Sequence, residues 1–192
     1  MNVLLFEDLF LTICDYFDIQ QIIKLELISK YHSTLIRKTT WFKQIYIKNN
    51  KFFDHIIKHY QCKNLSISSI INVNHYVDYL KNCHTLDLID TNVNNKTIKA
   101  LKNCHTLHLT GTYVNNESIK ELKNCHTLHL MCTYVTDEGI KHLNCHTLYL
   151  SGPAITDEGV KDLKCKLLSI KSTNVTDACI QKLRSKGCTV YN

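Results

Sequence analysis

The sequence predicts an α/β solenoid, in which a tandem repeat lays down a parallel sheet one strand at a time behind a few short helices. Three observations carry this. The phrase Cys-His-Thr-Leu returns at Cys83, Cys104, Cys125 and Cys145, inside units of 20 or 21 residues. Each unit holds apolar residues two apart, such as Leu107 and Leu109, and that period puts both side chains on one face of a strand. The unit is also too short to stand alone. Ordering about 20 residues costs roughly 1.5 kcal/mol each, while its few buried aliphatics return only about 1.5 to 3 kcal/mol apiece, so it must stack on its neighbours.

Residues 1–45 carry no repeat. Leu5, Leu9, Ile13 and Phe17 lie four apart, the face of a helix of about three turns. Ile22, Leu25 and Ile28 begin a second helix, and Ser29 is placed to cap a third that carries Leu35 and Ile36. Three short helices bury little surface alone, so they must lean on the first repeat or on a partner. Residues 46–61 form a junction. With Ile45 and Ile47 alternating ahead of an amphipathic run through Phe53, Ile56 and Tyr60, it reads as a worn first repeat, and Trp41 is expected at the seam.

The repeats occupy residues 62–192. Aligned on Cys83, Cys104, Cys125, Cys145 and Cys165, each unit is apolar at places 1, 4, 6 and 11, and Thr91, Thr112, Thr133 and Thr173 fall at place 9. Polar stretches such as TDEGIKHL follow, with Ile140 and Leu143 three apart, the spacing of a helical turn. The copy from Cys62 keeps Leu65 and Ile67 but has Asn72 where later copies carry Val or Ile, as a degenerate terminal repeat does. A partial unit from Leu183 to Val190 is expected to close the stack with a short strand around Cys188 to Tyr191.

Composition narrows the function classes. A chain of 192 residues, 44% hydrophobic, suits one extended domain with a small appendage. Glu7, Asp8 and Asp15 interrupt the apolar N-terminus, which has neither a basic leader nor a run long enough to span a bilayer, so no membrane association and an intracellular setting are expected. The formal charge of +6 comes from lysines scattered through the helical returns, at Lys99, Lys102, Lys120, Lys123, Lys141 and Lys161. That is the pattern of a solvated convex face and not of a nucleic-acid surface, which would interleave stacking aromatics.

Most of the ten cysteines stand where a repeat packs its core, which points to buried thiols in a reducing compartment. A column of sulfurs on one line cannot close a tetrahedron, and each following histidine points to the other side of the strand, so no metal site and no cofactor are expected. Distance alone would permit disulfides between rungs; the reducing compartment argues against them. Cys132 and Cys179 lie outside the column without a Cys/His/Asn context, and no phosphate loop or HExxH is present, so no enzyme is expected. Place 5 of the strands should face outward from the sheet. There Asp87, His108, His129 and Tyr149 line up, with Met131 and Ile89 beside them at place 7, a set of amphipathic anchors suited to binding a protein target. Histidines in that row could make binding pH-sensitive.

The repeat resembles the leucine-rich repeat, LxxLxLxxNxL, with Cys for its first Leu and Thr for its Asn, closest to the cysteine-containing class. The first 45 residues resemble an F-box, the linker-binding motif of SCF-type ubiquitin ligases. Leu5, Leu9, Ile13, Tyr16, Phe17, Asp18, Ile22, Leu25, Ile28, Ser29, Lys30 and Trp41 match that pattern in order, while Phe6 replaces its proline and His32 departs from it after Tyr31. The resemblance implies an adaptor whose Leu5, Leu9, Ile13 and Leu25 bind a Skp-type linker of a cullin-RING ligase in cytoplasm or nucleus. Asp87, His108, His129, Met131 and Tyr149 would then choose a target. The near-identical repeats and the Asn/Ile/Lys bias are similar to F-box repeat proteins of large DNA viruses of amoebae, which implies that the ligase is the host's. The alternative is a protein-binding repeat scaffold, without a ligase link, whose helices only cap the stack.

Overall fold

The computed structural model describes residues 3–48, 51–69 and 71–192, with side chains from Glu7 onward. Eight strands form one sheet in which every neighbouring pair is parallel and spatial order equals chain order. They are β1 Thr40–Ile47, β2 Gln61–Ile67, β3 Thr85–Asp87, β4 Thr106–His108, β5 Thr127–Leu130, β6 Thr147–Ser151, β7 Leu167–Lys171 and β8 Thr189–Tyr191. Between them run helices α4 Phe53–His59, α5 Val77–Leu80, α6 Asn95–Ala100, α7 Asn116–Ile119, α8 Asp137–Ile140, α9 Asp157–Val160 and α10 Asp177–Ser185. Several are a single turn. Strands stack about 4.8 Å apart whereas helices need roughly 8–10 Å, so such a stack curves with its sheet inward.

The register is that of the repeat. Leu86, Leu107, Leu128 and Leu148 lie in one row, as do the following leucines of place 6, and all are buried. The place 11 residues Val93, Val114, Val135 and Ile155 close the core under the turns. In the first copy Asn72 is exposed and accepts a hydrogen bond from the Asn74 N–H at 3.1 Å. Ile71 and Val73 on either side are buried instead, so the core place is filled from neighbouring positions.

Place 8 of the five units from Cys83 onward, one to three residues past the strand end, is left-handed: Asp90, Gly111, Cys132, Gly152 and Ser172 all have positive φ. That residue turns the chain out of the sheet, and the threonine after it locks the turn. Thr91 Oγ1 donates to the Leu88 carbonyl at 2.7 Å, Thr112 to Leu109 at 2.6 Å and Thr133 to Leu130 at 2.8 Å. A second ladder ties the helix starts together. Asp137 accepts from the Thr156 N–H and hydroxyl at 2.8 and 2.6 Å, and Asp157 from the same pair on Thr176 at 2.7 Å each. Asn116 Oδ1 accepts from the Thr136 N–H at 2.8 Å in the same way.

Ahead of the sheet stand α1 Val3–Asp15, α2 Ile19–Glu26 and α3 Lys30–Lys38. Asp18 and Gln21 form a reciprocal cap at the start of α2, and Ser29 Oγ caps α3 by accepting from the His32 N–H. Two details differ from the periodicity. Helix α1 stops at Asp15, so Phe17 lies beyond it and packs against the core; α2 stops at Glu26, so Ile28 is exposed past its end.

This unit is bolted to the sheet. Trp41 is buried and donates its Nε1–H to the Ile36 carbonyl at 3.2 Å. Lys43 Nζ donates to the Cys14 and Phe17 carbonyls at 2.6 and 2.7 Å, tying β1 to the end of α1, where the Cys14 carbonyl also accepts from the Phe17 N–H at 3.1 Å. Glu26, nearly buried, accepts from Arg37, from Tyr60 Oη at 2.8 Å and from Ser33 Oγ at 3.3 Å, with His55 Nε2 at 2.7 Å. Burial pushes its carboxyl up, but the hydrogen bonds from Arg37, His55 and Tyr60 outweigh that and hold it below the usual range.

Candidate functional site: the open face of the sheet

Because successive side chains of a strand alternate, burying places 4 and 6 sends places 3, 5 and 7 to the open face. The row at place 5 runs through Tyr46, Ser66, Asp87, His108, His129, Tyr149, Ser169 and Tyr191. Four of the five residues expected to choose a target are thus consecutive in one row: Asp87, His108, His129 and Tyr149. Met131 lies beside it, after the end of β5, and is half-buried.

The rings of this row stack. His108 and His129 have centroids 3.8 Å apart, and His129 and Tyr149 3.9 Å with planes 11° apart. Parallel strand spacing is too short for rings to do anything else when like residues occupy like places. Asp87 closes one end, its carboxylate accepting from Ser66 Oγ at 3.0 Å and from the Ile89 N–H at 3.1 Å. Desolvation lowers the His108 imidazole, partly offset by Asp87, and desolvation together with His108 pulls His129 down to about 4. Both rings are therefore neutral near pH 7, each offering one donor and one acceptor from a flat aromatic surface.

A second column lies at place 2. His84, His105, His126 and His146 are exposed and stack with centroids 4.5, 4.4 and 4.4 Å apart, each with Nδ1 3.2 or 3.3 Å from the next threonine hydroxyl. Sequence reading turned these histidines away from the cysteines but drew no column from them; the signal was their recurrence at one place of successive units. Tyr113 and Tyr134 likewise stack at 6.0 Å, both exposed.

The cysteine column is buried apart from Cys62, which is half-buried, and all ten thiols are free. Burial pushes Cys104 and Cys145 up to about 12 and Cys125 to about 11, so none is a thiolate at neutral pH. Cys125 Sγ donates to the Cys104 carbonyl at 3.0 Å. Among the described residues no group of three or more His, Cys, Asp or Glu is disposed to hold a metal ion, and no helix is long and apolar enough to cross a membrane.

Of the residues expected to bind a linker, Leu9 and Ile13 are 58% and 46% exposed on α1. Leu25 is half-buried against the core, and the side chain of Leu5 lies outside the described residues. The adjoining flank of α1 is the packed one, through Cys14 and Phe10. Tyr16, Leu27, Ile28 and Tyr31 add further exposed apolar surface that sequence did not place among the linker-binding residues, and a Tyr31 Oη to Glu7 Oε1 hydrogen bond of 2.7 Å holds the start of α3 beside α1. No model of a known protein family matches this chain, and no curated protein matches it.

Proposed function

We propose that this repeat solenoid is a protein-binding adaptor, with its helical unit docking a Skp-type linker of a cullin-RING ligase and its open sheet face holding a target for ubiquitination. The observation that carries the reading is the exposure of Leu9 and Ile13 on a helix whose adjoining flank is locked to the solenoid. Large apolar side chains left in water there, with Tyr16, Leu27 and Ile28 also exposed on the same helical unit, suit it to a partner. The open face supports the second half, since neutral stacked rings on a rigid sheet lose little entropy on binding and offer both hydrogen bonding and apolar area. The adaptor performs no chemistry; it raises the target's effective concentration near the conjugating enzyme.

The test is capture of the intact chain by a purified Skp-type linker, compared with a Leu9→Asp, Ile13→Asp double variant. Both sites already face water, so the variant should keep its circular dichroism spectrum and unfolding midpoint while losing at least tenfold in affinity. The competing reading, a scaffold whose helices only cap the stack, draws on the burial of Cys14, Phe10 and Phe17 against the core. Absence of capture by the intact chain would favour it.

A further inference from the structure

At the N-terminal end of the sheet, β1 is an edge strand of eight residues, whereas β8 at the far end has three. The hydrogen-bond direction is uniform through the sheet. Open-face residues turn their N–H back toward the preceding strand, as Thr106 and Thr127 do to the carbonyls of His84 and His105, while core residues such as Leu88 and Leu109 reach forward to His108 and His129. Ile47 likewise accepts from the N–H of Ser68, the residue just past β2. By the same alternation, Gln44 and Tyr46 turn their N–H and C=O outward, where no described strand lies.

Along this edge runs a cleft of about 750 Å³ between β1 and the α1–α2 turn. Its floor is apolar, with Phe17, Ile19 and Phe52 each only partly covered. Its rims are Tyr16, 87% exposed, and Tyr46, 60% exposed. Asp15 and Asp18 stand near Lys43 at one end, and Lys48 at the other. Two carboxylates face the single Lys43 ammonium there, so the first end is net acidic.

We propose that this edge is a second binding site, which takes an extended peptide as a ninth parallel or antiparallel strand, with a Lys or Arg of the peptide against Asp15 and Asp18. Backbone donors and acceptors spaced about 6.6 Å along a strand are matched by another extended backbone, and alternate peptide side chains would fall on the apolar floor. A second copy fits less well. The α1–α2 turn walls the cleft on its outer side, and the register shift between Trp41 and Gln44 with Lys43 and Lys48 is the kind of edge that resists self-pairing. The inference does not rest on the adaptor reading, since Tyr16 is the one residue of the linker patch that borders the cleft and the stacked rings of His108, His129 and Tyr149 do not line it.

The probe is a phage-displayed library of random ten-residue peptides, selected on the intact chain and counter-selected on Tyr46→Pro, which removes one outward N–H and leaves the β1–β2 ladder its bonds. Enriched peptides should alternate apolar residues and carry a Lys or Arg. Their affinity should fall at least tenfold on Tyr46→Pro and several-fold on Asp15→Lys. Backbone N-methylation of the peptide, which leaves the protein untouched, should cost at least tenfold at every second residue and little between. An absence of enrichment would overturn the proposal, as would N-methylation effects without that period of two. So would self-association of the intact chain, seen by sedimentation and abolished by Tyr46→Pro, because the edge would then belong to a second copy.

Discussion

Gly111 occupies the left-handed position after β4 with φ of +71°, and a Cβ there would run into the Asp90 carboxylate of the preceding unit. Gly111→Ala should therefore lose about 2 kcal/mol in urea unfolding, from backbone strain and the clash together. Cys132 holds the same place with φ of +54° and is exposed, so Cys132→Gly should gain up to about 1 kcal/mol by relieving strain, net of the unfolded-state entropy glycine adds. Histidine 129 makes the third residue-scale case. Its folded value of about 4 lies below the unfolded 6.5, so the unfolded chain binds the extra proton between them. Its contribution is complete above pH 6.5 and disappears as pH falls toward 4, a loss on the order of 2 kcal/mol once solvent screening of this half-buried ring is allowed for. His129→Tyr, the residue found at Tyr149 in the same row, should flatten that segment of the stability-versus-pH curve. Glu26 has a depressed carboxyl, so its contribution is present above its unfolded value and is lost as pH falls through the lower folded one, at more acid pH than the His129 segment.

At the scale of the element, each strand–turn–helix unit touches the next through three rows: leucines in the core, threonine hydroxyls locking the turns, and the Asn/Asp ladder at the helix starts. Because the unit from Cys125 meets the unit from Cys104 as that one meets the unit from Cys83, removing residues 104–124 should leave a folded chain. Its far-ultraviolet spectrum should scale with length, and both its unfolding free energy and its urea m-value should fall. Loss of cooperative folding in that deletion would mean that the units are less interchangeable than their shared register implies. The helical returns are too short to be stable alone, so their shape is held by stacking and caps and not by propensity.

For the whole molecule the question is whether the helical unit and the solenoid move as one. Glu26 gathers α2, α3 and α4 with Tyr60 around one nearly buried carboxylate. Removing it in Glu26→Ala leaves those partners without an acceptor and should cost about 2 to 4 kcal/mol by urea unfolding, less than a fully buried pair because Arg37 and His55 are partly exposed. Lys43→Met should act more locally. Without its ammonium the Phe17 carbonyl loses this donor and the Cys14 carbonyl keeps that of the Phe17 N–H, and hydrogen exchange across residues 7–17 should quicken while the strands from β3 onward keep their protection.

Periodicity alone determined the solenoid, the strand register from Cys62 onward, the buried cysteine column and the row from Asp87 to Tyr149, because a repeat of fixed length copies one local geometry and its spacing is a direct record of which side chains share a face. Single-sequence reading also found the three N-terminal helices and the Ser29 cap, whose signals lie within a few residues of one another. Tertiary structure decided the rest. Lys43 looks in sequence like one more solvated lysine, and Glu26 like a surface acid, because the carbonyls and phenol that engage them lie 26 to 34 residues away along the chain. The stacking of His108 on His129, the depressed basicity that follows, and the open edge of β1 beside the α1–α2 turn exist only once strands are brought side by side, since packing distance and burial are properties of neighbours that a linear chain does not specify.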